Sequence, residues 1–135
     1  MKYLVDTNVL SELNKPMPDA RVVDWMFKYD ADIVVSVVTL GELDRGVQSM
    51  RRGLHRKNLV AWFNGIQADL VGKVLPVTQA TMQAWASLYT GVKTKDLPFF
   101  DSLLAATAMH HGLTVVTRNV GDFPKGVKVL NPWKA

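Results

Sequence analysis

The chain has 135 residues, of which 48% are hydrophobic; it has no cysteine, a formal charge of +4 and a pI near 9.5. That composition excludes a disordered chain, and the missing cysteine excludes disulfides, thiolate zinc sites and cysteine nucleophiles. No apolar run approaches the ~18 residues that cross a bilayer, so no membrane association is expected, and the basic balance favours polyanionic partners. The first six residues, Met1 to Asp6, regain charge too early for a secretory leader, so a cytoplasmic location is expected.

In chain order, buried strands are expected at Lys2–Val5, Ile33–Val38, Val74–Val77, Leu113–Thr117 and Val127–Leu130. The runs at 33–38 and 113–117 are rich in Val, Ile and Thr and do not alternate strictly, as in parallel strands covered on both faces. Helical stripes lie between them: Val22, Val23, Met26 and Phe27; Leu59, Trp62, Phe63 and Ile66; Leu103, Leu104, Ala108 and Met109. Strands alternating with helices predict one α/β domain over 1–135, with a parallel sheet of about four to five strands and helices on both faces. In such sheets, sites form beyond the carboxyl ends of the strands.

Acidic residues gather at those ends. The first strand runs into Asp6-Thr7-Asn8, the second into Thr39-Leu40-Gly41-Glu42, and the fourth into Arg118-Asn119-Val120-Gly121-Asp122. A helix starting near Pro98 carries Asp101 in its first turn. Four carboxylates in one cleft repel each other unless a counter-ion joins them. With only oxygen donors on offer, that ion is Mg²⁺ or Mn²⁺ rather than zinc. Such a site suits phosphodiester hydrolysis, with one metal or two.

Taken singly, each acid has a plainer reading. Asp6 caps the following helix; Thr39-x-x-Glu42 is a capping box; Asp101 suits a helix N-terminus; Asp122 belongs to a turn. Their shared sheet edge gives the metal reading its weight. A phosphatase using the first strand-end Asp as nucleophile would place a second Asp two residues on, where Asn8 stands. A catalytically silent RNA-binding module would fit the charge but not four placed carboxylates.

Four ordered motifs resemble those of the PIN-domain ribonucleases, specifically VapC-type toxins of type II toxin–antitoxin systems in the FitB-like group. They are Leu4-Val5-Asp6-Thr7-Asn8-Val9-Leu10, Ser36 to Leu43 with Gly46 following, Phe100-Asp101-Ser102 on to Ala108, and Val116 to Phe123 with an Asn131-Pro132-Trp133 tail. The resemblance implies Asp6, Glu42, Asp101 and Asp122 as catalytic metal ligands for Mg²⁺ or Mn²⁺, supported by Thr117, Asn119 and Asn8. It implies cleavage of structured RNA, commonly transfer or ribosomal RNA, and inhibition by a cognate VapB-like antitoxin whose tail lies along the active-site groove. A toxin homodimer is usual in the family, and operator DNA is reached only through the antitoxin.

Arg45, Arg51, Arg52, Arg56 and Lys57 crowd one stretch with His55. They read equally as RNA-binding cations or as a solvated helix face with Gly53 as breaker. Lys93 and Lys95 read as a surface loop, Asp44 and Asp96 as surface acids. Trp25, Trp62 and Trp85 read as core, Trp133 as an anchor for the tail, and His110 and His111 as a helix end rather than as bases. Apolar helix surface after Arg21 and after Gly53 is the expected antitoxin groove. The acid content is lopsided, with Glu12 and Glu42 the only glutamates, so each merits a reason.

Overall fold

A computed structural model of the chain describes residues 1–88 and 98–135; the surface readings of Lys93, Lys95 and Asp96 fall outside the described residues. The strands are β1 (Tyr3–Val5), β2 (Ile33–Ser36), β3 (Val74–Leu75), β4 (Thr114–Val116) and β5 (Val129–Leu130). They form one sheet in the order β3-β2-β1-β4-β5, and every pairing is parallel. The helices are α1 (Thr7–Leu13), α2 (Ala20–Lys28), α3 (Val37–Gln48), α4 (Leu54–Asp69), α5 (Gln79–Ser87) and α6 (Phe99–His111). No helix among the described residues is long and apolar enough to cross a membrane.

The unbroken apolar runs are explained by burial on both sides. Successive strand residues point to opposite faces. Val5, Ile33, Val35 and Val116 enter a core with Val9, Val22, Trp25 and Phe63 of α1, α2 and α4. Leu4, Val34 and Val115 enter another with Leu104 and Ala108 of α6. Tyr3 packs edge-on against Trp25 and Tyr29, with ring centroids 5.0 and 5.3 Å away. The small side chains Ala105 and Ala106, both fully buried, give α6 a close-packing surface, and the Trp85 Nε1–H of α5 donates to Ser102 Oγ at 2.9 Å. Gly112, at φ +68°, ends α6 in the left-handed conformation glycine adopts most readily.

Several sequence readings are corrected. β2 stops at Ser36, not Val38, and α3 starts at the next residue with no loop between them. Ser36 Oγ accepts the Val38 N–H at 3.0 Å, so the cap lies three residues before Thr39. The Thr39–Glu42 capping box therefore does not form. Thr39 is fully buried inside the first turn of α3, and its hydroxyl has no partner among the described residues. β3 is shorter than expected because Pro76, which has no N–H to donate, follows it directly. On α2 the buried positions are Val22 and Trp25, while Val23 and Phe27 of the expected stripe are exposed. Met109 is likewise exposed on α6. The stripe on α4 packs as expected, with Phe63 buried and Leu59, Trp62 and Ile66 against it.

Candidate active site

Asp6 is fixed by the junction of β1 and α1. Its backbone N–H donates to Val116 O at 2.9 Å, tying the end of β1 to β4. Its Oδ1 accepts the Thr7 N–H at 2.7 Å, capping α1. Its Oδ2 accepts the Thr117 hydroxyl at 2.8 Å, with the Asn8 amide 3.4 Å away. Capping and site-building are thus compatible functions of one carboxylate.

Thr117 is the hub of this corner. Its buried hydroxyl donates to Asp6 and accepts from Asn8 Nδ2 and the Asn119 N–H, both at 3.1 Å. Asn8 Oδ1 in turn accepts the Arg118 N–H at 3.2 Å. The three residues expected to support the site are therefore joined in one network behind Asp6. Thr117→Val is expected to cost about 1–3 kcal/mol, because it leaves the Asn119 N–H and one Asp6 oxygen short of a partner while keeping side-chain shape. Thermal melting checks this; an unchanged midpoint would make the network dispensable.

Glu42 comes from the second turn of α3, where its Oε1 accepts the Thr7 hydroxyl at 2.9 Å. Asp101 comes from the first turn of α6, as the sequence predicts. Asp6, Glu42 and Asp101 line one pocket of roughly 440 Å³, together with Asn8 and Asn119. Asp122 ends a short 3-10 turn, is exposed and lies outside that lining.

The electrostatics bind all four acids together. Burial pushes the Asp101 carboxyl up to about 6, with further upward pressure from Asp6, Asp122 and Glu42. Glu42 is raised by burial, against the Thr7 hydrogen bond, and then by Asp6. Asp6 is raised by burial, against hydrogen bonds from Thr117 and Thr7, and then by Asp122. Ion pairs among the described residues join Met1 to Asp32, Lys15 to Glu12, Arg21 to Asp19 and Lys73 to Asp30. None reaches the four acids, so no ion pair offsets their charge among the described residues.

This donor set suits a hard divalent cation: oxygen only, uncompensated and mutually repelling. No three His, Asp or Glu side chains among the described residues converge as a ready-made cage. The arrangement is of the open kind, in which Mg²⁺ keeps several waters and takes few carboxylates. No histidine lines the pocket among the described residues, and His110 and His111 sit at the far end of α6 from Asp101.

The expected RNA-binding cations divide. Arg45 lines a groove of roughly 530 Å³ that shares Glu42 with the acid pocket and includes Gly41, Gly46 and Phe100. Arg52, Arg56 and Lys57 line a different pocket around Gly53, and Arg51 lines neither. The acid pocket also contains residues that sequence reasoning gave no role: Glu12, Lys15 and Arg118. Glu12 is 5% exposed, accepts Lys15 Nζ at 2.7 Å and the Asp19 N–H at 2.9 Å, and is held below the usual carboxylate range chiefly by the Lys15 hydrogen bond. Its rarity in the composition was the available signal. Arg118 lies between Thr117 and Asn119, both singled out from sequence.

The PIN-domain family model matches residues 3–125. The chain belongs to the PIN-domain family. Toxin FitB of Neisseria gonorrhoeae is 36% identical over 96% of this chain and 97% of its own length. A VapC ribonuclease of Sinorhizobium fredii is 34% identical over 97% of each. A solved structure of FitAB bound to a DNA fragment superposes with a TM-score of 0.90 at 34% identity, covering 97% of this PIN domain and 95% of that chain. The resemblance read from the four motifs and the parallel α/β fold are both borne out. The PIN domain places its strand-end acids where the sheet topology requires, with β1 and β4 adjacent and α3 and α6 starting beside them.

Proposed function

We propose that this PIN domain is the toxin of a toxin–antitoxin pair and acts as an endoribonuclease dependent on Mg²⁺ or Mn²⁺. The observation that carries the reading is the meeting of Asp6, Glu42 and Asp101 in one pocket, none of them in an ion pair among the described residues. Kinship over almost the whole chain to proteins named as a toxin and a ribonuclease supports it.

In this reading the four acids hold the metal, which when bound acidifies a water and offsets charge on the phosphodiester. Asp6 is locked by Thr117 and the α1 N-terminus, so its lone pairs keep one direction. Glu42 is steadied by Thr7. Asp101 carries no side-chain hydrogen bond among the described residues and feels the other three acids, which makes it the group most relieved by a cation. Thr7 and Thr117 hold the carboxylates ionised without neutralising them.

The antitoxin is proposed to lie on the groove between α1, α2 and α4, where Leu13, Val23, Met26, Phe27 and Ile66 line a surface of roughly 510 Å³. Phe27 is 87% exposed there, a large apolar side chain of the kind a partner covers. By analogy with FitAB, operator DNA is contacted through that partner.

The direct test is cleavage of a structured RNA by purified protein with Mg²⁺ and with EDTA. Cleavage is expected only with metal, and equal cleavage in EDTA would overturn the reading. The pH dependence is specific. Metal binding needs Asp101 as carboxylate, and its pKa stands near 6. Below that value each pH unit is expected to weaken Mg²⁺ affinity by about tenfold, since one proton must leave for one cation to bind. Calorimetric titration at pH 5, 6 and 7.5 checks it. A flat affinity would exclude Asp101 from the metal shell.

A further inference from the structure

The acid pocket is not purely acidic. Its lining carries both signs, Asp6, Glu12, Glu42 and Asp101 together with Lys15 and Arg118. The two cations are not equivalent. Lys15 is committed to Glu12 at 2.7 Å. Arg118 has no carboxylate within ion-pair distance among the described residues, and its guanidinium lies over the Trp133 ring at 5.0 Å. Its backbone is held as well, by the N–H donated to Asn8 Oδ1 at 3.2 Å. Trp133 is only 6% exposed, so the platform beneath the guanidinium is part of the core. An exposed arginine whose backbone is hydrogen-bonded and whose guanidinium rests over a buried ring loses less freedom on binding than a free one. Arg118 acts on Glu12 only at long range and sits in no ion pair among the described residues, so its donors stay available to a phosphate.

We infer that Arg118, held over the Trp133 ring, binds the RNA phosphate next to the scissile one, while the scissile phosphate lies at the acids. This rests on the ribonuclease reading and deepens it by naming a substrate contact. Lys15, neutralised by Glu12, shapes the wall and stiffens the segment up to Asp19, whose N–H Glu12 also holds. The bidentate fork suits phosphate oxygens. Arg118 is a binding residue and takes no part in the bond-breaking step.

The experiment uses short fluorescein-labelled single-stranded RNA and follows anisotropy over a salt series. Both arms carry Asp101→Asn, so that no substrate is consumed. Arg118→Gln is expected to weaken binding by about tenfold near 0.1 M salt, and to reduce the slope of log affinity against log salt by about 0.7. Arg118→Lys, which keeps the charge but not the fork, is expected to retain the slope. In the cleavage-competent protein Arg118→Gln is expected to raise KM by about tenfold with kcat within about threefold. Unchanged affinity and slope in Arg118→Gln overturn the proposal. So does equal loss in both variants with an unchanged slope, which would mark Arg118 as a cover for Trp133. RNA that is bound with the expected slope change but never cut would sink the nuclease reading and leave the phosphate site standing. RNA that is cut with no change in slope would do the reverse.

Discussion

Asp101→Asn is expected to lower RNA cleavage by about 10³-fold or more while raising the stability of the metal-free protein. The two effects have one cause. Asp101 makes no side-chain hydrogen bond among the described residues; its partial burial, and then the field of Asp6, Asp122 and Glu42, push its carboxyl up to about 6. Its folded pKa exceeds its unfolded value, so the folded state binds the proton more tightly. Without metal, stability from this group is therefore greatest below the unfolded value near 3.8 and falls as pH rises through about 6. At pH 7.5 the ionised Asp101 is a net cost of about 1 kcal/mol, after allowing for solvent screening of a partly exposed group. Asparagine keeps the shape and removes the charge. In EDTA at pH 7.5 the variant should melt about 3 °C higher than the parent. Magnesium should raise the melting point of the parent and leave the variant almost unmoved. Loss of activity with a full magnesium-induced shift would show that Asp101 serves the substrate and not the cation.

Trp133→Ala is expected to cost about 3–5 kcal/mol, a large share of the stability of about 5–15 kcal/mol usual for a domain. Trp133 belongs to the larger core, 6% exposed, and its backbone N–H is fixed by Asn131 Oδ1 at 2.9 Å. It follows β5, the edge strand, which pairs with β4 at Val115–Val129 and Val116–Leu130. Removing the indole frees both the tail and the edge. The midpoint of thermal unfolding should fall by roughly 10–20 °C. Trp133→Phe, which preserves an aromatic face, should lose much less and keep Arg118 in place. A shift of under about 3 °C in Trp133→Ala would mean that the tail is only draped on the core.

The sheet was legible because consecutive apolar residues in short β-branched runs have few other uses. The meeting of Asp6, Glu42 and Asp101 in one pocket followed from topology, while Asp122 lies outside its lining. What escaped is informative. Val37, Val38 and Thr39 are β-branched and read as strand, yet they open α3, because Ser36 at the strand end caps the helix directly and tertiary packing outweighs propensity. The basic stretch is contiguous in sequence, but α3 and α4 diverge at Gly53 and only Arg45 shares a groove with Glu42. Arg118 escaped because its meaning depends on a ring contact with a residue fifteen positions later in sequence, one that only the folded chain supplies.

The central strand β1 has a further consequence for timing. Its inner partner β2 follows early, but its other partner β4, and the Thr117 hydroxyl that orients Asp6, are made 111 residues after Asp6. At ribosomal speeds that interval is on the order of ten seconds. Through it, a nascent chain has Asp6 but not the hydroxyl that orients it. The pocket around Asp6 is therefore a late product of synthesis, complete only once β4 and Thr117 have joined β1.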